Sequence, residues 1–250
     1  MYIIIFMYGI VLGSFLNVLI YRIPKGEGIA MKSSHCMSCG MKIKWYDLIP
    51  VISYIILKGR CRGCGGTISL QYPLVEAANG AVYVFIFWYN GICFESVLYA
   101  LMFSVFLVIS VIDFRTYEIP FCLNAAILVL AAVRLIWEQK NIVNHIIGFV
   151  SVSGFMLVCL IVGRKLKGID AFGGGDIKLT AAAGLFLGAE EVILGFLAGC
   201  VLGAVIHTVR MKVSGEDHVL AFGPYLCGGM FIAMLFGHEI IDWYAGTLML

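Results

Sequence analysis

The chain has 250 residues, of which 62% are hydrophobic and 13% charged, with a mean hydropathy of +1.00. A soluble globular domain is about half apolar and about a quarter charged. These values exclude a soluble enzyme, a disordered protein and a disulfide-built scaffold, and a formal net charge of +2 leaves no electrostatic footprint for nucleic acid.

A helix that crosses a bilayer takes about 20 apolar residues. Charge-poor runs predict eight such spans, at about 1–21, 72–91, 94–112, 119–137, 142–163, 177–188, 192–209 and 221–244. The first has no basic stretch ahead of it and no small-residue cleavage site behind it, so it reads as a retained helix, not a removed signal peptide. The sixth is the shortest. Segment 22–71 is the only long aqueous stretch, and about 50 residues bury too little apolar surface to fold unaided.

Lys and Arg set the expected topology. Taking alternate loops, Arg22, Lys25, Lys32, Lys42, Lys44, Lys58, Arg60, Arg62, Arg115, Arg164, Lys165, Lys167, Lys178, Arg210 and Lys212 fall on one side. Only Arg134 and Lys140 fall on the other. That asymmetry predicts that segment 22–71 is cytoplasmic and that both termini are external; the expected location is the inner (cytoplasmic) membrane.

Nine cysteines are present. Cys93, Cys122, Cys159, Cys200 and Cys227 lie in or beside apolar runs, as small packing residues do. The other four stand in segment 22–71 as Cys36-x-x-Cys39 (SHCMSCG) and Cys61-x-x-Cys64 (GRCRGCG). Two such pairs about 20 residues apart match a four-thiolate zinc site, and a reducing cytoplasm disfavours disulfides. His35 is an alternative ligand beside Cys36. With four protein ligands no position is left for water, so the expected Zn2+ is structural and supplies the folding energy the segment lacks. The expected fold class is therefore an all-α polytopic membrane protein of about eight transmembrane helices, with a small cytoplasmic four-cysteine zinc-binding domain inserted between helices 1 and 2. The expected organisation is helix 1 at 1–21, the zinc domain at 22–71 and a seven-helix domain at 72–250.

Acidic residues at span ends carry a functional hypothesis. Asp113 closes the third span and Asp176 opens the sixth, both on the predicted cytoplasmic edge. Taken singly, each has a plain structural reading: Asp176 as a helix cap, Asp113 as an interface marker. Gly173, Gly174 and Gly175 precede Asp176, clearing side chains from one carboxylate so that another chain can approach. Two aspartates brought close share a proton, one serving as general base on water and the other as acid at a carbonyl, which is aspartic peptidase chemistry. Glu118 and Asp170 rank below them, and Glu76 is a buried-carboxylate candidate expected to pair with a Lys or Arg.

These motifs stand in an order that resembles one family. GSFLNVLIYRIP at Gly13–Pro24, the two cysteine turns, WYDLIPVISY at Trp45–Tyr54, YPLVE at Tyr72–Glu76, Asp113 followed by Ile119-Pro120, Gly173–Lys178 and FGPYL at Phe222–Leu226 are similar to segments of the type IV prepilin peptidases, membrane aspartic peptidases of the GxGD type. The resemblance runs nearly end to end. It implies cleavage of a basic leader from pilin-like precursors at the cytoplasmic face, with Asp113 and Asp176 as the catalytic pair and Gly173, Gly174, Gly175 and Lys178 supporting them. It also implies methylation of the new N-terminus by S-adenosylmethionine. No glycine-rich dinucleotide loop is present; the resemblance puts the methyl-donor site near the first helix, with Asn17, Arg22 and Glu76 as contributors or, equally, as packing and anchoring groups. Phe121 stands where the family often has Asp or Asn, and Ala221 where Pro is usual. The expected partners are prepilin or pseudopilin precursors and the lipid bilayer, with no nucleic acid. Two competing readings are a membrane thiol–disulfide oxidoreductase working through the CxxC pairs, and a non-enzymatic zinc-bearing assembly factor or transporter.

Overall fold

The structure is a computed structural model that describes residues 1–28, 33–138, 141–168, 170–214 and 220–248. Lys32 and Lys140, which entered the charge asymmetry, lie outside the described residues. Among the described residues, nine α-helices follow one another: α1 (Tyr2–Arg22), α2 (Ile52–Ile56), α3 (Gln71–Tyr89), α4 (Phe94–Thr116), α5 (Phe121–Glu138), α6 (Ile142–Lys167), α7 (Gly174–Leu187), α8 (Ala189–Ser214) and α9 (Gly223–Leu248). A 3₁₀ turn occupies Trp45–Leu48. Among the described residues, strand-like pairing is limited to two isolated antiparallel bridges, His35–Lys42 and Arg60–Thr67.

All eight expected spans are helical. By length and composition, α1, α4, α6, α8 and α9 are long and apolar enough to cross a membrane, and α5 is a shorter apolar helix. This is a multi-pass membrane protein. The 14 residues of α7 rise about 21 Å, less than the roughly 30 Å of a hydrocarbon core.

The chain forms two compact units, Met1–Val108 and Ile109–Leu250, and the boundary falls inside α4. In the first, α1 lies directly on α3 because Gly9 and Gly13, four residues apart, place no side chain between them. A Cβ on Gly9 would stand 2.7 Å from Gly80 Cα, and one on Gly13 2.7 Å from Glu76 Cα. Small residues at this spacing let membrane helices pack backbone to backbone. Buried polar side chains then link α1, α3 and α4: Asn79 Nδ2 donates to Gly9 O at 2.8 Å, Ser104 Oγ donates to Asn79 Oδ1 at 2.9 Å, and Tyr83 OH lies 2.9 Å from Ser104 Oγ.

In the second unit α8 and α9 pair closely and α7 packs on α5 and α6. The last carbonyls of α7 have no partner within the helix, and neighbouring helices supply one. Arg134 Nη1 of α5 donates to Phe186 O at 3.0 Å, and His145 Nδ1 of α6 lies 3.0 Å from Leu185 O. Arg134, counted on the external side and within the fourth expected span, is a buried cap on a helix C-terminus, where a cation also complements the helix dipole.

Candidate active site and metal-ligating cluster

Two turns of the same design hold the four cysteines. In the first, Cys36 N–H donates to Met41 O and Gly40 N–H to Cys36 O; in the second, Cys61 N–H donates to Gly66 O and Gly65 N–H to Cys61 O, all between 2.8 and 2.9 Å. Gly40 and Gly65 take the same left-handed conformation, at φ 70° and 71°. Each turn points two thiols inward, and the four sulfurs lie within 4.8 Å of one another, with Cys36 Sγ 3.8 Å from Cys64 Sγ. All four are free thiols. The backbone amides of Cys39 and Ser38 hold the Cys36 thiol down to about 6. This cluster could hold a metal ion. A fork from Arg62, inside the second turn, braces it: Nη2 and Nε donate to Asp47 at 2.7 and 3.0 Å and hold that carboxyl below its usual range.

The candidate methyl-donor residues lie in the same unit. Asn17 is buried and donates to Tyr72 O at 3.1 Å. Arg22 is buried and donates to Gly28 O at 3.2 Å. Glu76, 6% exposed, accepts the amide of Val51 at 2.8 Å and a bond from the Ser14 hydroxyl. A Lys or Arg was the expected partner of Glu76; an amide and a hydroxyl are the partners described. Val51 has φ 60°, a strained conformation for a β-branched residue, and its bond to Glu76 offsets that strain.

In the second unit, Asp113 sits in the last turn of α4, which ends where Tyr117 turns left-handed and donates its N–H to Asp113 O at 2.8 Å. The side chain is 5% exposed, and Oδ2 accepts the Gly223 N–H at the start of α9 at 3.0 Å. A Cβ on Gly223 would lie 2.7 Å from that oxygen. Pro224 follows, with no N–H to leave unsatisfied in the first turn.

Asp176 is the third residue of α7. Its carboxylate reaches back to the Gly173 backbone at the N-cap, as the acidic member of a capping box does. The three glycines differ in role. A Cβ on Gly173 would stand 2.9 Å from Asp176 Oδ2, one on Gly175 3.1 Å from Ile119 Cβ, and one on Gly174 would meet nothing within 4 Å. Lys178 is exposed on the same helix. The Asp113 charge acts on Asp176, and both act on Cys227, buried in α9 and hydrogen-bonded to Ser110. Asp113 and Cys227 are buried and Asp176 is half-buried, and the three lie close enough to interact through their charges. Glu118 is exposed, and Asp170 is engaged by Arg164 in an exposed fork.

The reading of residues alone overlooked three groups. Gly223 is visible in FGPYL, but its contact with Asp113 spans 110 residues. Cys227 reads as packing. Asn124, 2% exposed, has both amide atoms buried with no partner among the described residues, and an Asn in an apolar helix was the available signal.

Comparison with known proteins covers the same two regions. A model of the bacterial peptidase A24 N-terminal domain matches residues 7–90, which contain the cysteine cluster, and the type IV leader peptidase family model matches residues 100–208, which contain both aspartates. Proteins named prepilin leader peptidase/N-methyltransferase are similar along most of their length. That of Vibrio cholerae is 36% identical over 82% of this chain and 84% of its own, that of Legionella pneumophila 30% over 100% and 96%, and that of Bacillus subtilis 30% over 96% of each. No solved structure matches. Two adjoining family models and full-length relatives agree, and the chain belongs to the type IV leader peptidase family.

Proposed function

We propose that this protein is a membrane aspartic endopeptidase that removes the leader of type IV prepilin-like precursors at the cytoplasmic face of the inner membrane, and then N-methylates the new N-terminus. The observation that supports the peptidase reading is that a glycine backbone at a helix start orients both Asp113 and Asp176, and that the Asp113 charge acts on Asp176. Two such carboxylates hold one proton between them. The ionised one takes a proton from water as it attacks the scissile carbonyl carbon, and the protonated one donates to the carbonyl oxygen. The tetrahedral intermediate collapses as the leaving amine takes up a proton. Gly173 and Gly174 leave the approach to Asp176 free of side chains. Lys178 supports the loop from the exposed side.

Cys36, Cys39, Cys61 and Cys64 would hold the metal. Zinc bonds sulfur at about 2.3 Å, which puts tetrahedral sulfurs about 3.8 Å apart, matching the 3.8 Å between Cys36 and Cys64. Four ligands make it a structural ion. S-adenosylmethionine, when bound, supplies an electrophilic methyl group. A cationic donor fits the buried Glu76 carboxylate, whose described partners are neutral. Asn17 and Arg22, both buried on α1, would orient the donor's polar groups.

The deciding experiment is cleavage of a purified prepilin by wild type, Asp113→Ala and Asp176→Ala. Both variants are expected to be inactive, and near-wild-type cleavage by either removes the dyad. Adding S-adenosylmethionine and weighing the mature product tests the second activity: it is expected to gain one methyl group.

A further inference from the structure

The short helix α2 is turned inside out for a water-facing domain. Its polar members face the protein: Ser53 and Tyr54 are half-buried, and Tyr54 OH donates to Ile68 O at 3.4 Å. Its isoleucines face outward. Ile52, Ile55 and Ile56, at spacings that share one helix face, are 47%, 67% and 67% exposed. The preceding turn adds Trp45, 79% exposed, and the exposed Leu48 and Ile49. A patch of this kind on a small domain marks an interaction surface.

Three observations select its occupant. First, the segment is tied to apolar helices at both ends, by α1 at Arg22 and by α3 at Gln71. Second, Val51, the residue before α2, is bonded to Glu76, five residues inside α3. That bond fixes the start of α2 at the level where α3 begins its apolar run. Third, the same segment exposes Lys42, Lys44, Lys58, Arg60 and Arg62, and its one acid between residues 33 and 70, Asp47, is held by Arg62. Basic side chains beside an apolar face with a tryptophan at its edge are the signature of a helix lying in the headgroup–acyl boundary of an anionic leaflet.

We propose that α2, with Trp45 and Ile49, docks into the surface of the bilayer that the chain spans, and that the basic residues around it engage anionic lipid headgroups. The metal cluster then folds against the membrane and not free above it. This inference rests on the membrane helices and is independent of the peptidase activity.

The test uses the full chain in phosphatidylcholine–phosphatidylglycerol vesicles. Trp88→Phe, Trp137→Phe and Trp243→Phe leave Trp45 as the sole tryptophan, excited at a wavelength where tyrosine does not absorb. A second chain adds Trp45→Phe and Ile55→Trp to the same background, placing the reporter on α2 itself. Lipids brominated near the acyl carbonyl are expected to lower the emission of both reporters about twofold, while aqueous acrylamide has little effect. Strong acrylamide quenching without bromine quenching places α2 in water. Insensitivity to both means that a protein surface, from substrate or a second copy, covers it. Either result overturns the proposal. Bromine quenching is also expected to weaken in pure phosphatidylcholine, and equal quenching in both lipids removes the electrostatic part.

Discussion

A methyl group on Gly223 has nowhere to go. The Asp113 oxygen that it would strike is the one held by the Gly223 amide, so Gly223→Ala keeps the N–H yet displaces its acceptor. Misplacing a catalytic group by about 1 Å costs about 10²-fold in rate. Gly223→Ala is accordingly expected to lower kcat for leader cleavage about a hundredfold with KM little changed. A variant that cleaves normally shows that the amide only packs. Asp176 separates two roles within one carboxylate. Asn retains cap-forming ability and cannot shuttle the proton, whereas Ala loses both. Asp176→Asn and Asp176→Ala should be equally inactive, but Ala alone should cost about 1 kcal/mol of stability in thermal unfolding. Equal losses in the two variants would separate Asp176 from the α7 cap. At this scale the sequence was informative where partners are near: GGGD announces both a cap and an unobstructed carboxylate. It was silent on the contact between Gly223 and Asp113, which arises from packing between helices distant in the chain.

At the scale of elements, glycines decide which helices touch. Leucine at Gly13 would drive into the α3 backbone at Glu76. Overpacking of this kind costs about 1–3 kcal/mol, so Gly13→Leu should lower the unfolding midpoint in detergent, and Gly174→Ala, which meets open space, should not. A larger loss for Gly174→Ala would reverse the assignment of roles. The two cysteine turns were legible from spacing alone, since each is closed by hydrogen bonds within six residues. Helix ends were less so. α5 starts at Phe121, not 119, because Pro120 precedes its first turn, and α7 starts at Gly174, not 177, because a glycine run that reads as loop is here the first turn of a helix capped by its own aspartate. Arg134 and His145 could not be assigned from sequence to the end of α7, since a hydrophobic run does not reveal which carbonyls need a donor.

At the scale of the whole molecule, the four-cysteine cluster and the aspartates belong to different units. Stripping the metal with a chelator should expose the segment around the cysteines to trypsin at Lys42, Lys44, Lys58 and Arg60, because without the ion that segment has no core to hold it. Fragments cut only there, with the apolar helices intact, are the expected pattern; a segment that stays resistant after metal loss does not depend on the ion for folding.

One helix is common to both units. α4 offers Ser104 to Asn79 in the first and Asp113 to Gly223 in the second. Nine residues of one continuous helix separate them, a rise of about 13.5 Å. α4 therefore works as a key with one tooth cut for each unit. Inserting one alanine between Ser104 and Asp113 turns one tooth about 100° out of step with the other. Leader cleavage is expected to be lost, and full activity after the insertion would show that the two teeth are read independently.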